Sequence, residues 1–106
     1  MTRGLERELE RHCRGFALHN QVSAPDPIFC AKIHWPIGPV AWYIAGYDAT
    51  CYVAYGYSTG LKNGWGFFSI VAVAETLIAG IPPTVDKSFV LTRASMLGIT
   101  KDAASG

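Results

Sequence analysis

The central part of the chain carries almost no charge. Between Ile33 and Val85 the charged residues are Asp48, Lys62 and Glu75, whereas seven of the seventeen charged residues (nine basic and eight acidic) fall between Arg3 and Arg14. A domain of this length leaves roughly a third of its chain surface exposed. The central region must therefore expose aromatic and small residues, or a partner must cover it.

Composition restricts the class of protein further. The chain has 106 residues, half of them hydrophobic, and a formal net charge of +1. This apolar content excludes intrinsic disorder, and the balanced charge argues against a binder that neutralises many phosphates. The length suits one domain. We predict a single domain over residues 1–99 and a flexible tail over residues 100–106.

Three further observations bear on location. The N-terminus lacks the apolar run of a signal peptide, so we expect none. The longest apolar stretch, Trp65–Pro82, contains polar residues and is too short for a spanning helix, so we expect no membrane partner. Cys13, Cys30 and Cys51 do not make a set of disulfide pairs. We therefore expect a cytoplasmic protein whose cysteines are small buried side chains.

Helix and strand patterns follow each other along the chain. Apolar residues at helical spacing predict a helix over Leu5–Arg14. Ser69 and Gly80 bound a second predicted helix, Ile70–Ala79, and Lys87–Thr92 is the last predicted strand. Between the helices, β-branched and aromatic runs separated by Pro and Gly turns predict the strands Ile28–Trp35, Val40–Tyr47, Cys51–Tyr57 and Trp65–Phe68.

This order of elements predicts an α+β fold. The short connections make neighbouring strands antiparallel. The simplest packing is a single antiparallel sheet of four to five strands with two helices packed on one face. The other face would then carry the tyrosines, and a functional site is expected there.

Several residues in this strand region form a recognisable series. The series is Asp26-Pro27, Lys32, Pro36, Trp42-Tyr43, Gly56-Tyr57, Gly60, Gly66-Phe67-Phe68-Ser69, Asp86 and Phe89. Over about Pro25 to Phe89 it resembles a domain-of-unknown-function family of small bacterial proteins encoded on plasmids, phages and integrated elements. The chain departs from the family pattern before Asp86, where Thr84-Val85 replaces Glu-Arg, and has few acids after its Trp-Tyr strand. The resemblance implies a mobile-element setting and this fold class, but no reaction.

Lys32 and His34 alternate onto one face of the first predicted strand. Together with Asp86 they could bind an anion or transfer a proton in a small hydrolase or transferase. The alternative interpretation is a solvent-facing strand whose polar residues are simply exposed. We favour the second interpretation, because the sequence fixes no nucleophile beside them, and we assign no catalytic residue.

A zinc site is a weaker hypothesis. Zinc requires four ligands that usually come in close pairs. The candidate ligands are scattered, so we predict no metal and no cofactor; they are His12, Cys13, His19, Cys30 and His34.

A nucleic-acid site is weak as well. The run Asn63–Phe68 is similar to the RNA-stacking strand of an RNA-recognition motif. It lacks the basic residue that begins that strand, and Pro36–Pro39 leaves no helix between the first two strands. The basic stripe of the first helix consists of Arg3, Arg7, Arg11 and Arg14. Three glutamates on the same helix reduce its net positive charge. We therefore do not expect a nucleic-acid partner.

The surplus of aromatic residues gives the leading hypothesis. Tyrosines on a sheet face are typical of protein interfaces, although cross-strand packing explains them equally well. We predict a non-enzymatic accessory protein that binds another protein or a second copy of itself, for example an anti-CRISPR-like inhibitor of a host defence complex. The predicted contact residues are Lys32, His34, Tyr43, Tyr47, Tyr55, Tyr57 and Asp86.

Overall fold

The computed structural model describes residues 3–17, 21–36, 39–60, 63–78 and 80–99, so the predicted tail at 100–106 lies outside it. None of the helices in these ranges is long and apolar enough to cross a membrane. The elements in chain order are α1 (Arg3–His12), β1 (Ile28–Phe29), β2 (Ala31–His34), β3 (Ala41–Asp48), β4 (Val53–Thr59), β5 (Gly64–Ser69), α2 (Ile70–Ala74), β6 (Thr84–Val85), β7 (Thr92–Arg93) and a 3-10 helix (Ala94–Leu97).

Helix α1 presents one apolar face to the rest of the molecule. Leu5, Leu9 and Cys13 recur at helical spacing and are buried. The chain turns away at Gly15, whose φ of 87° is a conformation that favours glycine. The predicted helix Leu5–Arg14 is confirmed within two residues at each end.

Five strands form an antiparallel sheet in the order β5-β4-β3-β2-β6. Strands β2 to β5 make a meander, because each hydrogen-bonds to the next along the chain. The strands predicted at Val40–Tyr47, Cys51–Tyr57 and Trp65–Phe68 are confirmed within two residues at each end. A β-bulge lies in β3 between Ile44 and Gly46 and changes which face the following side chains take.

Helix α2 is shorter than predicted. Ser69 caps it, because its Oγ accepts a hydrogen bond from the backbone N–H of Ala72 at 3.3 Å. The prediction Ile70–Ala79, whose last residue lies outside the described chain, is too long because α2 ends at Ala74. The β-branched residues in this segment are poor helix formers. The Thr76 hydroxyl also donates back to the carbonyl of Ala72 at 2.9 Å, as often occurs where a helix weakens.

The main core lies between the two helices and one face of the five-stranded sheet. Its fully buried members come from different elements: Leu9 from α1, Ile33 from β2, Ile44 from β3 and Ile70 from α2. The indole N–H of Trp35 donates to a backbone carbonyl just beyond α2 at 3.2 Å. Each large buried side chain contributes roughly 1.5–3 kcal/mol, so this core supplies much of the stability.

The opposite face carries a second sheet, in which β1 pairs antiparallel with β7. The predicted strand Ile28–Trp35 is therefore two strands, separated at Cys30, whose N–H donates to the carbonyl of Ile44 at 2.7 Å. The predicted single sheet with helices on one face is wrong for this reason, although the α+β class is confirmed. The pairing of β1 with β7 joins residues 28–29 to residues 92–93, and no local pattern encodes a pairing over that sequence separation.

The predicted last strand, Lys87–Thr92, is also wrong, since β6 ends at Val85 and β7 begins only at Thr92, the final residue of the prediction. A turn occupies the space between them. The carboxylate of Asp86 accepts hydrogen bonds from the Ser88 hydroxyl at 2.7 Å and from its backbone N–H at 3.0 Å. Such a side-chain-to-backbone bond closes a turn and competes with strand pairing.

Two of the three cysteines are buried as predicted. Cys13 and Cys30 belong to the main core, whereas Cys51 is exposed and its predicted burial is wrong. A hydrogen bond with Cys30, together with burial, raises the pKa of the Cys13 thiol far above its ordinary value. Cys13 is therefore a neutral apolar side chain at physiological pH.

Candidate functional site

Four side chains line up across four strands on the sheet face opposite the helices. The strand register places Lys32 of β2 opposite Tyr43 of β3, Tyr43 opposite Tyr57 of β4, and Tyr57 opposite Trp65 of β5. The Nζ of Lys32 lies 5.4 Å from the centroid of the Tyr43 ring, which permits a cation–π contact. The rings of Tyr57 and Trp65 meet edge to face at 5.6 Å. We call Tyr43, Tyr57 and Trp65 the aromatic row, and Lys32 lies at its end.

The aromatic row is one wall of a second, smaller core. Phe29 of β1 is fully buried against it, with ring centroids 5.3 Å from Tyr43 and 5.6 Å from Trp65. Tyr55 is also buried and stacks on Trp65 at 5.7 Å. The rings of the row are consequently half-buried rather than freely exposed. Part of the predicted tyrosine surface thus serves the packing of the two sheets.

The side chain of Tyr47 does not lie on the sheet face that carries the aromatic row. It is 8% exposed and belongs to the main core under the helices. Simple alternation along β3 would place it beside Tyr43 and Ala45. The bulge between Ile44 and Gly46 inserts one residue and sends the Tyr47 ring to the other side.

Lys32, His34 and Asp86 lie close together at the edge of the aromatic row. The backbone N–H of Asp86 donates to the carbonyl of Lys32 at 2.8 Å. Hydrogen bonds from Ser88 lower the pKa of Asp86 most, and the charges of His34 and Lys32 lower it further. Within the described part of the chain, no ion pair or hydrogen bond joins this carboxylate to the side chain of Lys32 or His34. The Asp86 carboxylate already accepts two hydrogen bonds from Ser88. Lys32, His34 and Asp86 together are therefore suited to polar contacts at the edge of an interface.

An exposed apolar segment flanks the aromatic row. Val90 is 72% exposed and Met96 is 77% exposed, and Leu91 and Leu97 beside them are exposed as well. Ala94 of the same segment packs into the small core, which fixes the segment on the aromatic side of the sheet. We call Val90, Leu91, Met96 and Leu97 the apolar ridge. The sequence did not predict this exposed surface, because the two apolar pairs Val90-Leu91 and Met96-Leu97 on either side of β7 are more typical of a core.

Asp26 anchors the apolar ridge. Its carboxylate accepts hydrogen bonds from the Ser95 hydroxyl at 2.7 Å and from the Ser95 N–H at 3.0 Å. The Arg93 guanidinium donates to the Asp26 carbonyl at 3.4 Å, and the Ala94 N–H donates to the Pro27 carbonyl at 2.9 Å. These bonds tie Arg93, Ala94 and Ser95 to the start of β1, so the 3-10 helix that carries Met96 and Leu97 is held in one orientation.

The hydrogen bonds of the Asp26 carboxylate lead us to expect that the stability of the fold decreases in acid. The Ser95 hydrogen bonds, and then the Arg93 charge, hold the pKa of Asp26 below its usual 3.8. A depressed carboxyl pKa stabilises the fold above the unfolded-state pKa, and this contribution is lost as the pH falls through the lower folded-state pKa. We expect Asp26→Asn to lower the Tm at neutral pH and to reduce the drop in Tm between neutral pH and about pH 2. Thermal unfolding followed by circular dichroism checks this, and an acid-induced drop as large as that of the wild type would contradict it.

A cleft of about 860 Å³ lies on the other side of the molecule, between α1, α2 and β6. Its lining includes Leu5, Glu8, Leu77, Pro82 and Val85. Leu77 is 61% exposed, which makes it a useful reference position remote from the aromatic row.

The described residues show no arrangement suited to a metal. No group of three or more His, Cys, Asp or Glu side chains among them could hold a metal ion, and the candidate ligand His19 lies outside the described ranges. On α1, part of the basic stripe is neutralised, because Arg11 pairs with Glu8 at 3.4 Å. His12 also lies 3.7 Å from Glu8.

No family model, curated protein or solved structure matches this chain.

Proposed function

We propose that the protein is a non-enzymatic protein-binding module and that its partner docks on the apolar ridge beside the aromatic row. The exposure of the ridge is the observation that carries this proposal. Val90 and Met96 each leave about three quarters of their surface in solvent, in a segment that is otherwise held firmly in place. Four exposed apolar residues within residues 90–97 are denser than the singly scattered surface hydrophobics of an ordinary monomer, and such a concentration supports an interaction site.

The construction of the ridge suits binding. The partner meets a preformed surface, because Asp26 and the buried Ala94 fix the segment. A fixed surface loses little conformational freedom on association. Met96 supplies a flexible, polarisable side chain that adapts to irregular surfaces. Lys32 and His34 provide a polar edge of the kind that surrounds the apolar centre of an interface.

The proposed partner is a protein with an apolar surface that carries a carboxylate. Arg93 lies in the middle of the ridge segment and is exposed. Its guanidinium donates to the Asp26 backbone carbonyl and has further N–H donors, which can bind a carboxylate through two parallel hydrogen bonds. In the mobile-element setting that the sequence resemblance implies, we propose that this partner is a host protein, such as a component of a host defence complex.

Site-specific photo-crosslinking tests the proposal. A benzophenone amino acid is placed at Met96, on the ridge, and at Leu77, on the helix side, which is similarly exposed. The full chain is expressed in the cells of its source organism. We expect Met96 to yield one predominant adduct with a different protein, and Leu77 to yield none. The adduct should also disappear when Arg93→Glu is introduced, because that change repels the proposed carboxylate.

Two outcomes would overturn the proposal. In the first, Met96 crosslinks only to other copies of this chain. In the second, Leu77 gives the same adduct as Met96, which would mean that the crosslink is not specific to the apolar ridge.

A further inference from the structure

The apolar ridge carries a thioether that the fold leaves open to solvent. Met96 is 77% exposed, and the other methionine of the sequence is Met1. A thioether in a core is protected from oxidants by the side chains around it, whereas an exposed thioether is readily oxidised. Met96 is therefore the internal methionine of this chain, and it is accessible to oxidants dissolved in water.

The cysteines compete with Met96 for an oxidant at one position. Cys13 and Cys30 are buried in the main core, whereas Cys51 is exposed. Burial keeps the first two thiols away from an oxidant in water. Cys51 can be replaced by serine, whose hydroxyl keeps a hydrogen-bond donor beside the Asp48 carboxylate. The Cys51→Ser chain thus isolates the oxidation chemistry of Met96.

The backbone around Met96 is fixed by contacts that do not use its side chain. The hydroxyl and the N–H of Ser95 donate to the Asp26 carboxylate, and the Gly98 N–H donates to the Ser95 carbonyl at 3.1 Å. Ala94 packs into the small core. An oxygen added to the Met96 sulfur disturbs none of these contacts. Oxidation at this position therefore changes the surface of the ridge and leaves the fold intact.

We propose that Met96 is a reversible oxidation site that controls docking of the partner on the apolar ridge, an inference that rests on the proposed function. The oxidant is a hydroperoxide, of which hydrogen peroxide is the simplest. A sulfur lone pair attacks one peroxide oxygen, the O–O bond breaks, and methionine sulfoxide forms as water leaves. Sulfur loses the two electrons that the peroxide gains. A methionine sulfoxide reductase with a dithiol donor then returns the thioether and water, and the dithiol becomes a disulfide.

The sulfoxide opposes docking because it is polar. Met96 forms the ridge together with the apolar side chains Val90, Leu91 and Leu97. A sulfoxide oxygen accepts hydrogen bonds from water, and an apolar partner surface would remove that water without supplying a donor. A bound partner would also cover the thioether, so Met96 should oxidise more slowly in the complex than in the free protein.

Peptide mass mapping tests the chemistry without any partner. The full-length Cys51→Ser chain is treated with hydrogen peroxide, both folded and unfolded in urea. We expect Met96 of the folded chain to gain one oxygen at a rate within about fivefold of the unfolded chain, with the Tm unchanged. A rate below that limit would overturn the inference, because the fold would then protect the thioether.

Isothermal titration calorimetry tests the effect on docking, with the partner identified by crosslinking at Met96 and with the peroxide removed beforehand. We expect the oxidised Cys51→Ser chain to bind at least about tenfold more weakly than the untreated chain. Treatment with the reductase should restore the affinity. The matched control is Cys51→Ser with Met96→Leu, which has no thioether at this position. Whatever affinity this control has before peroxide, it should keep afterwards.

Two binding results would overturn the inference. One is an oxidised chain that binds as tightly as the untreated chain. The other is an equal loss in the Met96→Leu control, since the oxidised group that weakens binding would then lie elsewhere. Failure of the proposed function has a different signature, because the double substitution Val90→Asp with Met96→Asp would then keep the wild-type affinity. If the oxidation inference alone fails, that double variant still binds weakly.

Discussion

Gly56→Ala will destabilise the fold by about 3 kcal/mol, close to the upper end of the range for overpacking. Gly56 lies in the middle of β4, opposite Ile44 of β3. A Cβ at this position would overlap the carbonyl oxygen of Tyr43 and lie 2.9 Å from the carbonyl carbon of that residue. These atoms belong to the backbone of the paired strand. They cannot yield as the end of a flexible side chain can, so the central β3–β4 pairing has to distort.

The matched control is Gly66→Ala. Gly66 lies directly opposite Gly56 on β5, yet a Cβ there would meet nothing within 4 Å. Alanine removes the conformational freedom of glycine in the unfolded chain, so we expect a gain of up to about 1 kcal/mol. Urea unfolding of both variants and the wild type at one protein concentration measures the difference. Equal stabilities for the two variants would contradict the close approach of β3 and β4 at Gly56.

Much of the five-stranded sheet can be predicted from local sequence signals. Asn63-Gly64 and the other turn residues separate the apolar runs, and β3, β4 and β5 lie within two residues of their predicted positions. The pairing of β1 with β7 could not be predicted in this way. It depends on Phe29 filling the small core and on Asp26 holding Ser95, and these contacts join residues that are remote in sequence.

The candidate site is predictable only in part. Alternation along β2 correctly places Lys32 and His34 on one face, opposite the buried Ile33. Alternation predicts the wrong sheet face for Tyr47, because the bulge that precedes it in β3 has no recognisable pattern in the sequence. The apolar ridge has no sequence signal of its own, since Val90 and Met96 are residue types typical of core, yet both are exposed and the small Ala94 is the residue of this segment that enters the small core.

The double substitution Val90→Asp with Met96→Asp will weaken partner binding at least about 100-fold. Both carboxylates would be transferred from water into an apolar contact, where an unpaired charge is costly. The fold should be almost unaffected, because both side chains are mostly exposed and such substitutions change stability by about 0.5 kcal/mol or less.

The most direct measurement is the affinity of the purified full chain for the protein crosslinked at Met96, determined by isothermal titration calorimetry. The control is Leu77→Asp, which adds a carboxylate at an exposed leucine on the helix side. We predict that Leu77→Asp binds as tightly as the wild type, whereas Val90→Asp with Met96→Asp loses at least about 100-fold in affinity while keeping the wild-type Tm. Unchanged affinity in the double variant, or an equal loss in the Leu77→Asp control, would contradict docking on the apolar ridge.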